Sequence, residues 1–285
     1  MLAAMTRSAD ISPLSVLLSR VDAVSDGAPP RDSLPTGFAS LDKILGSGFR
    51  RGDLVLLGGD VASGKSALAL AFAIRASLRG TRVAFLTAEM TVERVLERII
   101  AIEARAKVDD LRQGTIDDET RATAGSVAIR LRERLPLIER IARNSGVSAI
   151  GEVIENPAIV DLVVVDSISA LMRDETASDE QIGIIVRGLK ALALERDVAV
   201  LATAPLTSVA GRADRRPTLD DFGATGSAKQ TADVVLALYR EDMYDAAKDV
   251  AGATELLVRK NRNGPTGYVD LYFYAQWMRF EDMSE

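Results

Sequence analysis

The fold of this chain is decided by one stretch, Gly59-Asp60-Val61-Ala62-Ser63-Gly64-Lys65-Ser66. It matches G-x-x-x-x-G-K-[ST], the pattern of a phosphate-binding P-loop. The apolar residues Leu54–Leu57 precede it, as in a buried strand, and a mostly apolar stretch from Ala67 to Arg79 follows it, as in a packed helix. A Gly-rich turn can match such a pattern by chance, but the strand–loop–helix context favours a phosphate site.

The chemistry of a P-loop assigns roles to individual residues. Its glycines let backbone N–H groups close around phosphate oxygens, and the N-terminus of the following helix adds a partial positive charge. Lys65 is expected to reach the β- and γ-phosphates, and the Ser66 hydroxyl is expected to ligate Mg²⁺. The sequence therefore predicts a nucleotide site made of Gly59, Ala62, Ser63, Gly64, Lys65, Ser66 and Ala67.

Length and composition restrict the possible classes of protein. The 285 residues suit one large α/β domain, or one domain with a small appendage. Apolar residues make up 47% of the chain, yet no run of about 18 consecutive apolar residues suggests a membrane span. The chain has neither cysteine nor histidine, which excludes Ser-His and Cys-His catalysis and thiolate or imidazole metal sites. Carboxylates, hydroxyls, Lys, Arg and bound Mg²⁺ remain for chemistry.

Charge and targeting signals narrow the expected partners. The net charge is −6, so any nucleic-acid partner must meet basic residues concentrated on one surface. The N-terminus carries Asp10 and lacks the compact apolar core of a secretory signal. We expect a cytoplasmic protein with no membrane partner.

Short apolar runs alternate with helical stripes along the chain. Helices are predicted over Thr91–Lys107 and across Ile182 to Leu192, and residues 108–157 read as helical and loop-like. Further strands are predicted at 82–87, 161–166, 198–202, 234–238, 255–259 and 268–274. This alternation predicts an α/β fold with a mainly parallel twisted sheet, helices on both faces and an antiparallel C-terminal edge.

The N-terminal part is predicted to be separate from this fold. Ser12 and Pro13 read as the cap and first residue of a short helix, which ends near a Gly/Pro linker that runs to Pro30. Leu14, Leu17, Leu18 and Val21 share one face, so the helix must dock on its own domain or on a neighbouring copy. We expect residues 1–33 to form a flexible N-terminus with a linker helix, and residues 34–285 to form the main domain.

Two strand ends carry carboxylates. Asp166 closes a strand of apolar residues, the position of a Walker B carboxylate that holds Mg²⁺, although a helix N-cap is the alternative. Glu89 ends the neighbouring strand and could orient or deprotonate an attacking water, or else cap the helix that follows. The metal role for Asp166 and the catalytic role for Glu89 are favoured.

Two groups of cationic residues each have two alternative roles. With a strand period of two, Lys260 and Arg262 point to one side and Arg259 to the other, so the pair could blunt an edge strand or reach a γ-phosphate. The long loop from Thr207 to Thr231 carries a second group, either a solvated loop or a contact for DNA phosphates. Its cations are Arg212, Arg215, Arg216 and Lys229.

Nine stretches carry a resemblance to a known family. They are Thr36–Phe38 with Leu41–Asp42, the P-loop, Ala88–Met90, Leu111–Gly114, Leu189–Ala193, Arg216–Asp221, Ala232–Leu236, Leu238–Asp242 and Lys260–Gly267. Together and in this order they resemble the C-terminal RecA-like ATPase domain of the DnaB-type replicative DNA helicases. The resemblance implies a RecA-like P-loop NTPase fold, and the last stretch is more distinctive than the P-loop itself.

The resemblance also implies a mechanism and partners. It implies a homo-oligomer, a hexameric ring that hydrolyses ATP with Mg²⁺ between subunits and acts on single-stranded DNA, with a loader or primase as further partner. Lys65, Glu89, Lys260 and Arg262 match catalytic positions, the last two reaching the γ-phosphate of the adjacent subunit. Arg240 matches a nucleotide contact. The loops after Asp166 and around Arg212–Gly226 match those that face DNA, Gly226 among them.

Two departures from the family pattern concern the coupling of ATP to DNA. The family's polar Ser-Gln pair at the end of the fourth strand is replaced by Ala204-Pro205, and its Arg-Glu in the DNA loop is replaced by Gly223-Ala224. The P-loop, with Gly58-Gly59-Asp60, is closer to RadA-like and KaiC-like relatives. The alternative function is therefore a RecA/RadA/KaiC-like ATPase module that controls assembly or a partner without unwinding DNA.

Overall fold

The computed structural model describes residues 12–27, 32–155, 160–172, 179–206, 212–223, 226–244 and 250–283. The chain divides into two units, Met1–Ser33 and Leu34–Glu285. In the first, helix α1 (Pro13–Ser25) begins after Ser12, whose hydroxyl accepts a hydrogen bond from Leu14 N at 3.3 Å. The predicted cap and helix are confirmed. The flexible N-terminus was expected to include residues 1–11 and the linker residues Pro29 and Pro30. All of these lie outside the described residues.

The second unit is built on one large sheet. Helix α2 (Ala39–Leu45) lies between two short strands, β1 (Ser33–Leu34) and β2 (Phe49–Arg50). Within the described ranges the main sheet then has nine strands. In chain order they are β3 (Leu54–Gly59), β4 (Val83–Thr87), β5 (Leu137–Arg140), β6 (Leu162–Asp166), β7 (Ala199–Pro205), β8 (Val234–Arg240), β9 (Ala253–Asn261), β10 (Gly267–Tyr274) and β11 (Arg279–Asp282).

The strand order across the sheet is β11-β10-β9-β8-β3-β7-β6-β4-β5. The strands from β8 to β5 in this order pair in parallel, and the strands from β9 to β11 pair antiparallel. The predicted parallel sheet with an antiparallel C-terminal edge is confirmed. The sequence prediction lacked β5 and β11, because β5 is mostly exposed and only Phe280 of β11 is buried. Hydrogen bonds to a neighbouring strand, rather than an apolar run, define both.

The helices lie on both faces of the sheet, as predicted. Val55 and Leu57 of β3 belong to the same apolar cluster as Phe72, and Leu54 and Leu56 belong to a second cluster with Leu189. Because alternate strand residues point to opposite faces, the two clusters lie on opposite sides. The helices are α3 (Lys65–Leu78), α4 (Val92–Ala104), α5 (Val108–Gln113), α6 (Asp118–Leu131), α7 (Ser148–Glu155), α8 (Asp179–Arg196) and α9 (Ser227–Thr231).

One helix is shorter than its sequence pattern indicates. The stripe from Thr91 predicted a helix to Lys107, but α4 ends at Ala104, and the backbone of its C-cap residue Arg105 is left-handed with φ 54°. Lys107 caps α5 instead. None of the helices within the described residues has the length and apolar character that crossing a membrane requires.

The parallel strands bring their C-terminal ends to one edge of the sheet. Gly59 pairs with Leu238 and with Pro205, and Thr87 pairs with Asp166. Crevices outside the C-terminal strand ends are where open α/β sheets bind ligands. The predicted P-loop, Asp166 and Glu89 therefore share this edge.

Candidate functional site

The P-loop folds back on its own lysine. Lys65 Nζ donates hydrogen bonds to Gly59 O and Asp60 O, both at 2.8 Å. Burial lowers the pKa of Lys65, while the nearby carboxylates of Asp60, Asp166 and Glu89 oppose that shift. Two backbone carbonyls thus hold a partly buried cation where phosphate oxygens would be stronger partners.

The loop backbone leaves no room for side chains on its inner side. Gly64 adopts φ 102° and caps α3, and Ala62 also has a positive φ of 63°. A Cβ at Gly59 would lie 2.6 Å from Ser63 Oγ. That hydroxyl is buried and lacks a hydrogen-bond partner among the described residues. Such a cradle of backbone N–H groups and an unsatisfied hydroxyl fits phosphate oxygens.

A tyrosine anchors the tip of the loop. Tyr244 Oη donates to Asp60 Oδ2 at 2.9 Å, while Asp60 Oδ1 accepts from Val61 N at 2.8 Å. Burial, followed by the bond to Asp60, raises the pKa of Tyr244 to about 12. The guanidinium of Arg215 lies 5.1 Å from the Tyr244 ring centroid. The sequence analysis missed this link, since the two residues are distant in the chain.

Asp166 lies beside Ser66, as the metal role requires. Its Oδ1 accepts from Ser66 Oγ at 3.0 Å and from Thr203 Oγ1 at 2.7 Å. Burial raises the pKa of Asp166 despite these bonds, and Oδ2 is buried without a partner among the described residues. Ser167, rather than Asp166, caps the following short helix, so the capping alternative is not realised. Thr203, a hydroxyl in an otherwise apolar strand, is a site neighbour that the sequence analysis missed.

The donor set at this point fits a hard cation. A hydroxyl and a carboxylate with an unsatisfied oxygen suit Mg²⁺, which takes few protein ligands and completes its shell with water and phosphate oxygens. In the described part of the chain, no group of three or more His, Cys, Asp or Glu is placed to hold a metal. Ser66 and Asp166 would therefore hold Mg²⁺ together with the nucleotide.

Glu89 lies at the same edge. Its Oε1 accepts from Ser167 Oγ at 3.2 Å, and its charge acts on both Lys65 and Asp166. Thr91 caps α4 through a bond from Arg94 N, which excludes the capping alternative for Glu89. An exposed carboxylate next to the P-loop and Asp166 has the position that a water-orienting group needs.

Lys260 and Arg262 lie at the opposite end of the parallel strands, near the start of β8. Both donate to Gln230 O, at 3.2 Å, whereas Arg259 Nε donates to Pro217 O. The pairing of β8 with β9 shifts register at Arg259, so the predicted sides of the strand stay a prediction. Lys260 pairs with Val235 at the start of β8, and Gly59 pairs with Leu238 near its end. The strands alone separate the two levels by roughly 10 Å, at about 3.3 Å per residue, and the P-loop extends further.

Arg240 ends β8 next to the P-loop strand. Its guanidinium donates to Asp242, with Nη2 at 2.8 Å from Oδ2, and lies 4.7 Å from the Phe273 ring centroid. A stacked, paired arginine is held rigidly at the edge where a nucleotide would lie. Its predicted nucleotide contact stays a prediction.

The predicted DNA-facing cations are paired within the chain, and Arg212 links two of them. Its Nη2 donates to Arg216 O at 3.4 Å, and its partner Asp221 follows Asp220, the partner of Lys229. Arg212 pairs with Asp221 at 2.7 Å, and Lys229 pairs with Asp220 at 2.5 Å. Arg216 makes a bidentate pair with Glu255, which lies opposite Tyr239. Arg216 is thus near the end of β8, whereas the carbonyl of Lys229 meets Lys260 near its start.

The rest of the predicted DNA surface consists of Gly226 and of loop segments that are only partly described. Gly226 has a left-handed φ of 71° and lies just before α9, where its carbonyl accepts from Gln230 N. Residues 173–178, 207–211 and 224–225 of the loops predicted to face DNA lie outside the described residues. The DNA-binding assignment stays a prediction.

Comparisons with known proteins agree with this geometry. A family model described as the DnaB-like helicase C terminal domain matches residues 33–282. The chain is similar to the replicative DNA helicase DnaB of Geobacillus stearothermophilus, at 29% identity over 88% of this chain and 56% of that protein. It is 30% identical to the replicative DNA helicase DnaC of Bacillus subtilis strain 168, over 88% of this chain and 56% of that one. The chain spans little more than half the length of these relatives.

Solved structures show the same fold. One that is described as an ATPase domain superposes with a TM-score of 0.84 at 25% identity, covering 96% of this chain and 100% of that one. A DnaB-like replicative helicase, described with its interactions with primase, superposes with a TM-score of 0.83 at 25% identity, covering 94% of this chain and 66% of that one. The predicted RecA-like P-loop ATPase fold is confirmed.

Proposed function

The chain belongs to the family of DnaB-like helicase C-terminal domains, and from that premise we propose that it is an ATP-dependent DNA helicase and translocase. It forms a hexameric ring of identical copies in the cytoplasm and hydrolyses ATP with Mg²⁺ at each interface. It acts on single-stranded DNA in DNA replication.

One observation carries this proposal. The two halves of the expected site lie at opposite ends of the parallel strands of one chain. The P-loop, Asp166 and Glu89 lie at the C-terminal ends of the parallel strands, whereas Lys260 and Arg262 lie at the start of β8. Neither cation can reach the phosphates bound by its own chain. A neighbouring copy that presents its Lys260 and Arg262 would complete the site, as arginine fingers do in trans.

The residues divide the chemistry between the two copies. Lys65 and the P-loop amides hold the phosphates, Ser66 and Asp166 hold Mg²⁺, and Glu89 orients the attacking water. Lys260 and Arg262 of the adjacent copy meet the charge that develops on the γ-phosphate. When bound, Mg²⁺ would supply positive charge that offsets the negative charge of the phosphates.

The linker helix supports assembly. α1 has 13 residues, a length that is marginal for an isolated helix in water. Leu14, Leu17, Leu18 and Val21 give it an apolar face, and we assign that face to a neighbouring copy. A solved DnaB-like helicase was described with primase, and we include a primase or loader among the partners of this chain.

The test is the change Arg262→Ala. Hydrolysis should fall by about 10³-fold or more, because an arginine finger contributes that much. Nucleotide binding should persist, because the P-loop is intact. Mixing this variant with Lys65→Ala protein should partly restore hydrolysis, because interfaces that combine an intact P-loop with an intact finger then form.

The matched control is Arg259→Ala, which removes a neighbouring cation that bonds Pro217 O instead of Gln230 O. It should leave hydrolysis near the wild-type rate. Failure of the Arg262→Ala and Lys65→Ala proteins to complement each other would rule out a site completed in trans. The mass in solution with ATP and Mg²⁺ checks the ring independently.

A second candidate function is a RecA-like ATPase module that controls assembly or a partner without unwinding DNA. Pro205 favours it, because it lies next to Gly59 at the end of β7 and offers no side-chain donor there. The loop cations Arg212, Arg216 and Lys229 are also engaged in ion pairs within the chain. Hydrolysis that single-stranded DNA does not stimulate, together with no strand displacement, would support this candidate over the helicase.

A further inference from the structure

Two sequence stretches of the resemblance have no role in the site described above. They are Leu189–Ala193 in α8 and Ala232–Leu236 at the start of β8. The fold brings a charged residue of each together, since Lys190 Nζ lies 2.6 Å from Asp233 Oδ2. Lys190 Nζ also donates to Gly52 O at 2.8 Å. The pair is thereby fixed to the backbone just before β3.

The two carboxylate oxygens of Asp233 have different partners. Its side chain is 3% exposed, and Oδ2 accepts from Leu54 N at 2.9 Å in addition to Lys190. Its other oxygen, Oδ1, lies 2.8 Å from Arg262 Nε. A carboxylate fixed by a backbone amide and a lysine is a rigid acceptor for a guanidinium.

Arg262 is held in one orientation although its side chain is 50% exposed. Its Nη2 donates to Gln230 O at 3.2 Å, and its backbone N donates to Asp233 O at 2.8 Å. Among the described residues, Nη1 has no acceptor within hydrogen-bond distance. The side chain therefore presents one free edge outward while Nε and Nη2 fix its plane.

We propose that Asp233 and Lys190 are positioning residues that hold Arg262 in the orientation in which it enters the nucleotide site of a neighbouring copy. The inference rests on the proposed function. An exposed arginine otherwise loses rotamer freedom when it is fixed. Fixing the guanidinium in advance removes that cost from the reaction, and it sets a geometry to which rates are sensitive.

The test is the change Asp233→Asn. It keeps the shape of the side chain but removes the charge that holds Arg262. We expect kcat for ATP hydrolysis to fall by about 10²-fold, the loss typical of a misplaced catalytic group. The Kd for ATP should be unchanged, because the P-loop lies at the other edge of the sheet.

Mixing experiments separate positioning from a general structural defect. Asp233→Asn protein mixed with Lys65→Ala protein should regain hydrolysis, because the Lys65→Ala copies supply a correctly held Arg262. Mixed with Arg262→Ala protein, it should regain nothing, because both variants fail on the side that donates the finger. A structural defect would not produce this difference.

A control variant is Asp161→Asn. Asp161 is another buried carboxylate at an ion pair, bonded to Arg51 and Arg82, and it touches neither Arg262 nor the P-loop. It should lower the unfolding temperature without changing kcat per folded molecule. Should Asp233→Asn fail to fold, Lys190→Met carries the test, with the same complementation by Lys65→Ala and none by Arg262→Ala.

The outcomes distinguish this inference from the proposed function. Complementation between Lys65→Ala and Arg262→Ala, combined with rescue of Asp233→Asn by Arg262→Ala protein, would overturn the positioning role and leave the shared site intact. Normal kcat in Asp233→Asn would also overturn it. Absence of any complementation between Lys65→Ala and Arg262→Ala would instead remove the proposed function itself.

Discussion

Buried charges in this chain differ in how well they are paired. Asp161 is buried, yet hydrogen bonds from Arg82 and the charge of Arg51 outweigh that burial and lower its pKa. Burial instead dominates at the other two sites, where it raises the pKa of Asp166 and lowers the pKa of Lys65, because their hydrogen-bond partners are only hydroxyls or carbonyls. Incompletely paired charges at the ends of strands mark the place where a ligand would supply the missing partners.

Asp53 gives a prediction about pH. Burial, followed by the charge of Asp233, raises its pKa from 3.8 to about 6, and Lys190, Arg50 and Arg262 oppose the shift. The folded chain therefore keeps a proton that the unfolded chain loses, so stability falls as pH rises from about 4 to about 6. We expect Asp53→Asn to be more stable than the wild type above this range and equally stable below it.

Chemical denaturation of both proteins at about pH 4, 5, 6 and 7 measures this difference. The gap in the free energy of unfolding should open across that window. Stability curves that stay parallel over the whole range would show that Asp53 does not titrate in this way.

At the scale of elements, close packing joins the P-loop strand to a segment within the predicted DNA loop. Phe222 ends a short 3-10 helix, Leu219–Phe222, and its ring lies against Gly58 of β3. A Cβ at Gly58 would lie 2.4 Å from the Phe222 ring. Only glycine lets the helix approach β3 this closely.

The change Gly58→Ala should therefore destabilise the protein by about 1–3 kcal/mol, the usual cost of overpacking. The matched control is Gly125→Ala in α6, where a new Cβ has no atom within 4 Å. It should stabilise the protein by about 0.5–1 kcal/mol, because alanine favours the helix. Denaturant titration measures both, and equal effects of the two changes would contradict the packing argument.

At the scale of the whole molecule, one copy lacks the cations that the proposed ATP site needs next to its own P-loop. Its P-loop edge holds Lys65, Asp166 and Glu89, while its own Arg262 is fixed at the other edge by Asp233. The family's similarity covers residues 33–282, which include both edges but not α1. Assembly is therefore expected to depend on contacts that α1 and the second unit make with neighbouring copies.

The double change Leu17→Asp and Leu18→Asp tests the role of α1. It places two charges on the apolar face, so the mass in solution with ATP and Mg²⁺ should fall to that of a single copy. Hydrolysis should fall with it, because each site needs a neighbour. Ser19→Asp, on the other face of the same helix, should change neither, and a ring that survives the double change would assign assembly to other surfaces.

The sequence by itself determined the features that depend on neighbouring residues in the chain. The P-loop, the apolar strand cores and the Ser12 cap follow from local spacing and side-chain type, and the structure has each where it was predicted. The placement of Asp166 near the P-loop follows from the rule that ligands bind outside the carboxyl ends of parallel strands. The fold class could therefore be read before any contact was known.

Only the tertiary structure decided what distant residues do to one another. The strands β5 and β11 exist because neighbours pair with them, and Tyr244 meets Asp60 only once β8 lies beside β3. The distance of Arg262 from the P-loop of its own chain, and its hold by Asp233, depend on the register of β8 against β9. The pairing of β8 with β9 also shifts register beside Val235 and Leu236, and this shift is decided only when the two strands meet in the sheet.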